Sequence, residues 1–380
     1  MSTNDAVIVA AKRTAVGVGK PEKGALSGIH SVDLSTYPIR AVLAETGIDP
    51  ALIDDVIWGC VSQVGEQSFN VGRNAVLAAG LPESVPGRTV DRQCGSSQQA
   101  IQDAAASLIA GYADVVIAGG VEVMSRTPMF SSTGGLDPFG TLMHERYPNL
   151  GNQGVGAELI AAKWELSRTD LDSIAVESHA RAADAVQRGL FEEEIVPVGD
   201  VVTDQGIRPG STLEKLATLP SPFIENGLVT AGNASQISDG AAAVLMMTSA
   251  KAASLGLTPI ARVHSVAVVG SDPIMMLTGP IAATAKVLQR AGLSVDDIGA
   301  FEVNEAFASV LGAWLQETGA DPAKVNPRGG AIALGHPLGA SGARLTTTLL
   351  HHMRANGIRY GLQTMCEGGG MANATIYELL

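Results

Sequence analysis

Short apolar runs alternate with amphipathic segments along the first part of the chain. Residues 6–11 form a continuous apolar run with the length of a buried strand. Residues 36–46 repeat apolar side chains at helical spacing, and Gly47 follows them as a stop signal. The same criteria predict a strand at 55–61, a helix at 70–79 and a strand at 87–92. This alternation predicts an α/β fold with parallel strand pairing.

Cys94 stands where a predicted strand passes into a helix. Residues 89–91 end the strand, and apolar side chains recur at helical spacing after Cys94 until Gly111, where a further strand at 114–120 follows. At a helix N-terminus, backbone N–H groups and the helix dipole stabilise a thiolate. The pKa of Cys94 is therefore expected to lie below the free value of about 8.5. The alternative is a buried structural cysteine, which the polar neighbours of Cys94 disfavour.

The C-terminal half repeats this order, with His336 in the corresponding place. A glycine-rich segment leads to His336, a helix is predicted over 341–354, and a strand over 360–365 ends at Cys366. The shared order suggests a duplicated α/β unit. The small residues that follow His336 are expected to let the helix end pack close to a substrate, although a lone histidine is more often structural.

Two further positions are candidates for a catalytic site. Cys366 precedes three glycines, 368–370, whose N–H groups are able to point into a cavity, as an oxyanion site requires. Asn304 follows an apolar strand at 298–303 and is either a site residue or a helix N-cap. Cys60, on a predicted strand, is assigned to the core. The chain carries neither the glycine-rich dinucleotide fingerprint nor a Walker A sequence.

The central segment, 124–237, differs in composition from the rest. Gly, Pro and Ser are frequent over 131–156, and most of the charge lies on predicted helices such as 163–188. We interpret the segment as an insertion that lies over a site and contributes no strand to the core sheet. The predicted units are an N-terminal half of 1–123 and 238–269, an inserted loop domain of 124–237, and a C-terminal half of 270–380.

Composition narrows the class of protein. The 380 residues are 46% hydrophobic and 17% charged, enough to bury a core in two or three domain-sized units. The net charge of −13 disfavours nucleic acid and anionic membranes as partners. No apolar run approaches the ~18 residues that span a bilayer, and residues 1–5 do not resemble a secretory signal. Three separated cysteines predict neither a disulfide framework nor a zinc site, so the cytoplasm is the expected compartment.

Six motifs together resemble the thiolase family over essentially the whole chain. They are 92–96, 119–125, 232–235 with 239–242, 304–308, 329–342 and 366–370. Each motif is only moderately specific, but six in the family's order, with both cysteines and the histidine in place, are very specific. The resemblance implies a five-layer α/β/α/β/α fold of two duplicated halves with the inserted loop domain. It also implies an acyltransferase that cleaves a 3-ketoacyl-CoA with coenzyme A, and a homodimer or homotetramer.

The resemblance also implies roles for individual residues. Cys94 would form the acyl-enzyme, His336 would take its proton, and Cys366 would protonate the acetyl-CoA enolate and then deprotonate coenzyme A. The N–H groups of Cys94 and Gly368 would bind the tetrahedral oxyanion, while His336 and a water held by Asn304 would bind the enolate. Coenzyme A would contact Ala234, Ser235, Ala306, Phe307 and, at its nucleotide end, Arg208. No metal and no permanently bound cofactor is implied, because coenzyme A is a substrate.

Four residues depart from the family pattern. Ser97 stands where many relatives have glycine, and Glu367 follows the second cysteine where an apolar residue is usual. Asn152 and Gln153 replace a His-Met pair that short-chain acetoacetyl-CoA thiolases often carry. This last difference favours a degradative enzyme for longer or bulkier acyl groups over a short-chain biosynthetic one.

Three other functions remain open from the sequence. A ketoacyl-synthase-like condensing enzyme shares the nucleophilic cysteine but lacks a second catalytic one, so Cys366 argues against it. A cysteine hydrolase built on Cys94, His336 and Asn304 leaves Cys366 and the inserted loop domain unexplained. A non-catalytic protein that binds acyl-CoA or lipid would be expected to have lost a reactive residue, and none is lost here.

Overall fold

A mixed sheet and its covering helices make up the fold in a computed structural model that describes residues 5–380. The strands are β1 (Ala6–Thr14), β2 (Gly17–Val18), β3 (Asp55–Gly59), β4 (Arg88–Val90), β5 (Val115–Val123), β6 (Ile195–Val196), β7 (Ser238–Thr248), β8 (Ala261–Gly270), β9 (Ala300–Val303), β10 (Tyr360–Glu367) and β11 (Met371–Leu379). The α-helices are α1 (Ser31–Thr46), α2 (Val71–Ala78), α3 (Ser96–Ala110), α4 (Gly140–Arg146), α5 (Gln153–Lys163), α6 (Arg168–Gln187), α7 (Leu213–Ala217), α8 (Ser249–Leu255), α9 (Gly279–Ala291), α10 (Ala308–Thr318), α11 (Ala331–Leu334) and α12 (Ser341–Asn356). None of these helices is long and apolar enough to cross a membrane.

The strands form one sheet whose main order is β4-β3-β5-β7-β1-β8-β11-β10-β9. Pairing is parallel between β3 and its two neighbours and between β9 and β10, and antiparallel at the other contacts of this order. The predicted parallel pairing is therefore only partly correct. β11 follows β10 through a tight turn, which forces an antiparallel pair, and β7 lies antiparallel to β5 after the whole insertion.

The sheet bends around two central helices, so the fold has five layers. α12 packs on β1 and β7 on one side and on β9 and β10 on the other, while α3 packs on β3 and β5 and reaches β11. α1 and α2 cover the outer face of the N-terminal strands, and α9 and α10 cover that of the C-terminal strands. This is the predicted α/β/α/β/α arrangement, with the two halves joined where β1 pairs with β8 at Val7 and Ile8.

Close backbone contact between α3 and α12 holds the central layer together. A Cβ atom at Gly342 would lie 2.2 Å from the backbone nitrogen of Gln98, so only glycine fits there. The expectation that the small residues after His336 approach a substrate is wrong for Gly342, which packs against α3 instead. Ser97 also links the two helices: its Oγ accepts a hydrogen bond of 2.9 Å from the N–H of Ala343 at the start of α12.

The inserted segment differs from the prediction in two respects. The helix predicted over 163–188 is interrupted: α5 ends at Lys163, and α6 begins after Ser167, whose side chain and Asp170 form a capping box. The insertion also contributes a strand, because β6 pairs in parallel with the end of β1. The prediction that it adds nothing to the sheet is therefore wrong for this one short strand.

The boundaries of the three predicted units stay a prediction. The predicted N-terminal half includes β8, yet this strand pairs with β11 along most of its length and with β1 only at its first two residues, Ala261 and Arg262. This pairing favours a C-terminal half that starts before Ala261 over one that starts at 270.

Candidate active site

A cavity of about 260 Å³ lies at the N-terminus of α3 and brings most of the predicted site residues together. The predicted residues in its wall are Cys94, His336, Gly368, Ala234, Ser235, Ala306 and Phe307. The other lining residues are mainly apolar, namely Met124, Met129, Phe130, Phe223, Ile237, Leu277 and Leu338, together with Asn152, Gln153 and Gln236. Arg208 does not line this cavity: its side chain is exposed, and its backbone N–H donates to His179 Nδ1 at 3.1 Å.

Cys94 is held in front of α3 by a turn in which Gln93 adopts a positive φ of 47°. Burial of the sulfur raises the pKa of Cys94 to about 12, and the negative charge of Glu367 acts in the same direction. The backbone N–H groups of Cys94 and Gly368 lower the pKa of Cys94, but by a smaller amount than burial and Glu367 raise it. The predicted low pKa is therefore wrong, because desolvation outweighs the contribution of the helix N-terminus.

His336 is oriented by a hydroxyl group that sequence reasoning missed. Ser341 Oγ donates to the carbonyl oxygen of Pro337 at 2.8 Å and lies 2.6 Å from His336 Nδ1. Since the hydroxyl proton is already used, Nδ1 carries the proton of the ring and donates it to Ser341, which leaves Nε2 as the basic nitrogen. Burial and the charge of Arg344 lower the pKa of His336 to about 3, so the ring is neutral at physiological pH.

Asn304 faces the basic nitrogen of this ring. Its Nδ2 lies 3.4 Å from His336 Nε2, and its buried Oδ1 has no hydrogen-bond partner. The alternative assignment as a helix N-cap is wrong, because α10 begins at Ala308 with Phe307 in the capping position. Asn304 therefore presents a free amide oxygen beside the imidazole.

Cys366 is fully buried behind the cavity wall. It packs in one cluster with Ala306, Phe307 and Leu277, all of which line the cavity. Burial raises the pKa of Cys366 well above its ordinary value, and an ionised Cys94 would raise it further. The two thiols are therefore electrostatically coupled, and each opposes ionisation of the other. Cys60 is also buried, as predicted, within the core on the outer side of the N-terminal strands.

The three glycines after Cys366 have different functions. Gly369 and Gly370 have φ values of 84° and 79°, which the turn between β10 and β11 requires. Gly368 is the one that lines the cavity, and a Cβ atom there would lie 3.0 Å from Gln93 Oε1. Among residues 5–380 no group of three or more His, Cys, Asp or Glu side chains is placed to hold a metal ion.

Comparison with known proteins assigns the family. The model of the thiolase N-terminal domain matches residues 6–250, and that of the thiolase C-terminal domain matches residues 257–379. The chain belongs to the thiolase family. This thiolase is 51% identical to the steroid 3-ketoacyl-CoA thiolase FadA6 of Mycobacterium tuberculosis, with 99% of this chain and 94% of the relative covered. It is 46% identical to the 3-ketoacyl-CoA thiolase FadA of Escherichia coli K12, with 98% of both chains covered.

A solved structure supports the same assignment. The crystal structure of the Bacillus anthracis acetyl-CoA acetyltransferase superposes with a TM-score of 0.90 at 36% identity and covers 99% of both chains. The predicted family, the α/β fold and the prediction of an enzyme of the thiolase type are confirmed by these relatives. The names of the two curated relatives agree with the predicted 3-ketoacyl-CoA class.

Proposed function

We propose that this thiolase transfers the acyl group of a 3-ketoacyl-CoA to coenzyme A through an acyl-Cys94 intermediate and releases acetyl-CoA. The observation that carries the proposal is the convergence of Cys94, His336 and Gly368 on one apolar cavity, with Cys366 buried against its wall. Covalent catalysis of this kind divides one difficult carbon–carbon cleavage into two easier acyl transfers.

The protonation states of Cys94 and His336 define the first step. Cys94 is a neutral thiol and His336 a neutral imidazole with a basic Nε2, so the proton leaves sulfur as the sulfur attacks the keto carbon. The oxyanion that forms would be bound by the N–H groups of Cys94 and Gly368. Each such donor typically stabilises the transition state by ~3 kcal/mol.

Cys366 supplies the second proton relay. It would protonate the carbon of the departing acetyl-CoA enolate and later accept the thiol proton of the incoming coenzyme A. Asn304, with its free Oδ1, is suited to hold a water that binds the enolate together with His336. A ketoacyl-synthase-like enzyme would have no use for this second cysteine. A non-catalytic binding protein would need none of the proposed catalytic side chains, which are those of Cys94, Asn304, His336 and Cys366.

The apolar cavity wall supports a long or bulky acyl chain as the substrate. Ten apolar side chains line it, and Asn152 and Gln153, which depart from the short-chain pattern, lie in the same wall. The relative named as a steroid 3-ketoacyl-CoA thiolase is consistent with a bulky substrate. Coenzyme A acts here as a substrate without a permanently bound cofactor, and Arg208 stays our prediction for its nucleotide end. A cytoplasmic homodimer or homotetramer is also predicted.

Cleavage assays on a panel of 3-ketoacyl-CoAs test this proposal. The wild-type enzyme is expected to cleave linear short, linear long and polycyclic substrates in the presence of coenzyme A. The kcat/KM of the larger substrates should be at least about tenfold above that of acetoacetyl-CoA, since each buried methylene contributes ~0.8 kcal/mol. Cleavage of acetoacetyl-CoA alone would contradict the substrate class. Binding of coenzyme A without any cleavage would contradict the catalytic function itself.

Replacement of Ser341 by alanine should impair the orientation of His336. Without Ser341 Oγ the ring loses the acceptor for its Nδ1 proton, so we expect kcat to fall about 10- to 100-fold with little change in KM. Nitrogen NMR of the imidazole should show a loss of the single Nδ1–H tautomer. Thr347→Ala is the matched control, because that hydroxyl bonds only Ala343 O on the same helix. An unchanged tautomer with an unchanged kcat would contradict the role of Ser341.

A further inference from the structure

Glu367 is a buried acid that the proposed mechanism does not use. It lies between Cys366 and Gly368, and because side chains alternate along a strand it points away from the face of Cys366. Its carboxyl group lies against the backbone immediately after the nucleophile: a Cβ atom at Gly95 would be 2.1 Å from Glu367 Oε1. The carboxyl group therefore occupies the space that a side chain at position 95 would need.

This carboxyl group has no hydrogen-bond partner in the described chain. Glu367 is 0% exposed, and neither of its oxygens is paired. The neighbouring Asn373 donates its Nδ2 to Gly95 O at 3.0 Å, and its own Oδ1 is also unpaired. An ionised carboxylate in this position is strongly disfavoured, whereas a protonated one carries no charge and has a hydrogen to donate.

The charged neighbours of Glu367 do not compensate a negative charge. Burial is the largest effect and raises the pKa of Glu367 to about 8. Of the two charged residues that precede α3, Arg92 lowers this pKa and Asp91 raises it. The thiols of Cys94 and Cys366 are the other titratable groups near it, and a negative Glu367 raises the pKa of both. His336 stays neutral throughout the range in which Glu367 titrates.

We propose that Glu367 is a positioning residue that controls the nucleophile: Cys94 reacts readily while the Glu367 carboxyl is protonated and slowly once that carboxyl is ionised. This inference rests on the proposed function, in which Cys94 is the acylated residue. The control is electrostatic, because a carboxylate beside Gly95 repels the negative charge that develops on the Cys94 sulfur in any attack.

Alkylation of Cys94 by iodoacetamide tests the proposal without turnover. In this reaction the thiol loses its proton, sulfur bonds to carbon, and iodide leaves. Rates are followed between pH 6 and 9.5 on the Cys94 peptide by mass spectrometry for wild type and Glu367→Gln. The ratio of variant to wild-type rate should be near 1 at pH 6 and rise to at least about threefold above pH 8.5. A ratio that does not change with pH overturns the proposal, since a purely structural effect would act at every pH.

Asp91→Asn provides a second measurement in case Glu367→Gln does not fold. The negative charge of Asp91 raises the pKa of Glu367, so its removal should shift the slowing of alkylation to lower pH. An unshifted profile overturns the proposal independently. Acetylation of Cys94 by acetyl-CoA in the wild type distinguishes the two claims. If no acetyl-enzyme forms while the alkylation ratio behaves as expected, the proposed function fails and the control by Glu367 stands.

Discussion

Substitution of Cys94 by alanine is expected to reduce coenzyme A-dependent cleavage of 3-ketoacyl-CoA by at least about 10⁴-fold. Cys94, the proposed nucleophile, lies in the cavity wall, whereas Cys366 is buried in the cluster behind it and does not line the cavity. Residual binding groups, including the Gly368 N–H, do not replace a nucleophile. Steady-state assays and the mass of the intact protein after incubation with acetyl-CoA measure the two consequences, and the variant should gain no acetyl group.

Cys366→Ala is the matched comparison for this prediction. It removes a thiol of the same size that is fully buried, and cleavage should fall by about 10²- to 10⁴-fold, the range of a general acid–base residue. Acetylation of Cys94 by acetyl-CoA should persist at a reduced rate, because in the proposed mechanism Cys94 and His336 make the attack and the coenzyme A thiolate is stable enough to leave without the proton that Cys366 would donate. An acetyl group found on the Cys94→Ala protein, or lost equally from both variants, would show that the roles of the two cysteines are wrongly assigned.

The sequence predicts local elements well where one segment contains all of the signal. The strand at 6–11, the helix that ends at Gly47 and the helix that ends at Gly111 all appear in the structure. Their boundaries are less accurate. α1 begins at Ser31 and not at 36, because His30 Nδ1 accepts the N–H of Val32 and because Pro38 is tolerated inside the helix. Histidine is an uncommon N-cap, so the pattern gave no signal for the earlier start.

The candidate site was predictable as a set of residues but not as an electrostatic environment. Motifs identify Cys94, His336 and Gly368, and the structure brings them to one cavity. The predicted sign of the Cys94 pKa shift is wrong, because a motif shows the helix N-terminus that follows but not the burial of the sulfur or the charge of Glu367 beside it. Residues that are distant in sequence decide this balance, and only the folded chain places them together.

Replacement of Arg13 by methionine is expected to lower the free energy of unfolding by about 3–5 kcal/mol, which is typical for one partner lost from a buried ion pair. Arg13 is fully buried at the end of β1, with Nε 2.6 Å from Glu194 Oε1 and Nη1 2.7 Å from Asp204 Oδ1. Both carboxylates belong to the inserted segment. Glu194 also accepts hydrogen bonds from Thr348 of α12 and from Arg328. The cluster therefore joins the insertion to the sheet and to the central layer.

Urea unfolding at pH 7.5 and one protein concentration measures this effect, since an oligomer's stability depends on concentration. Arg188→Met is the control, because the Arg188–Asp184 pair is 63% and 59% exposed and such a surface pair contributes at most about 0.5 kcal/mol.

The loss is expected because Arg13 pairs with two carboxylates whose side chains are fully buried. Without Arg13 these carboxylates stay in the interior with one cation fewer, and removal of one partner from a buried ion pair is strongly destabilising. A deficit below about 1 kcal/mol relative to wild type would mean that Arg13 is not required to neutralise this cluster.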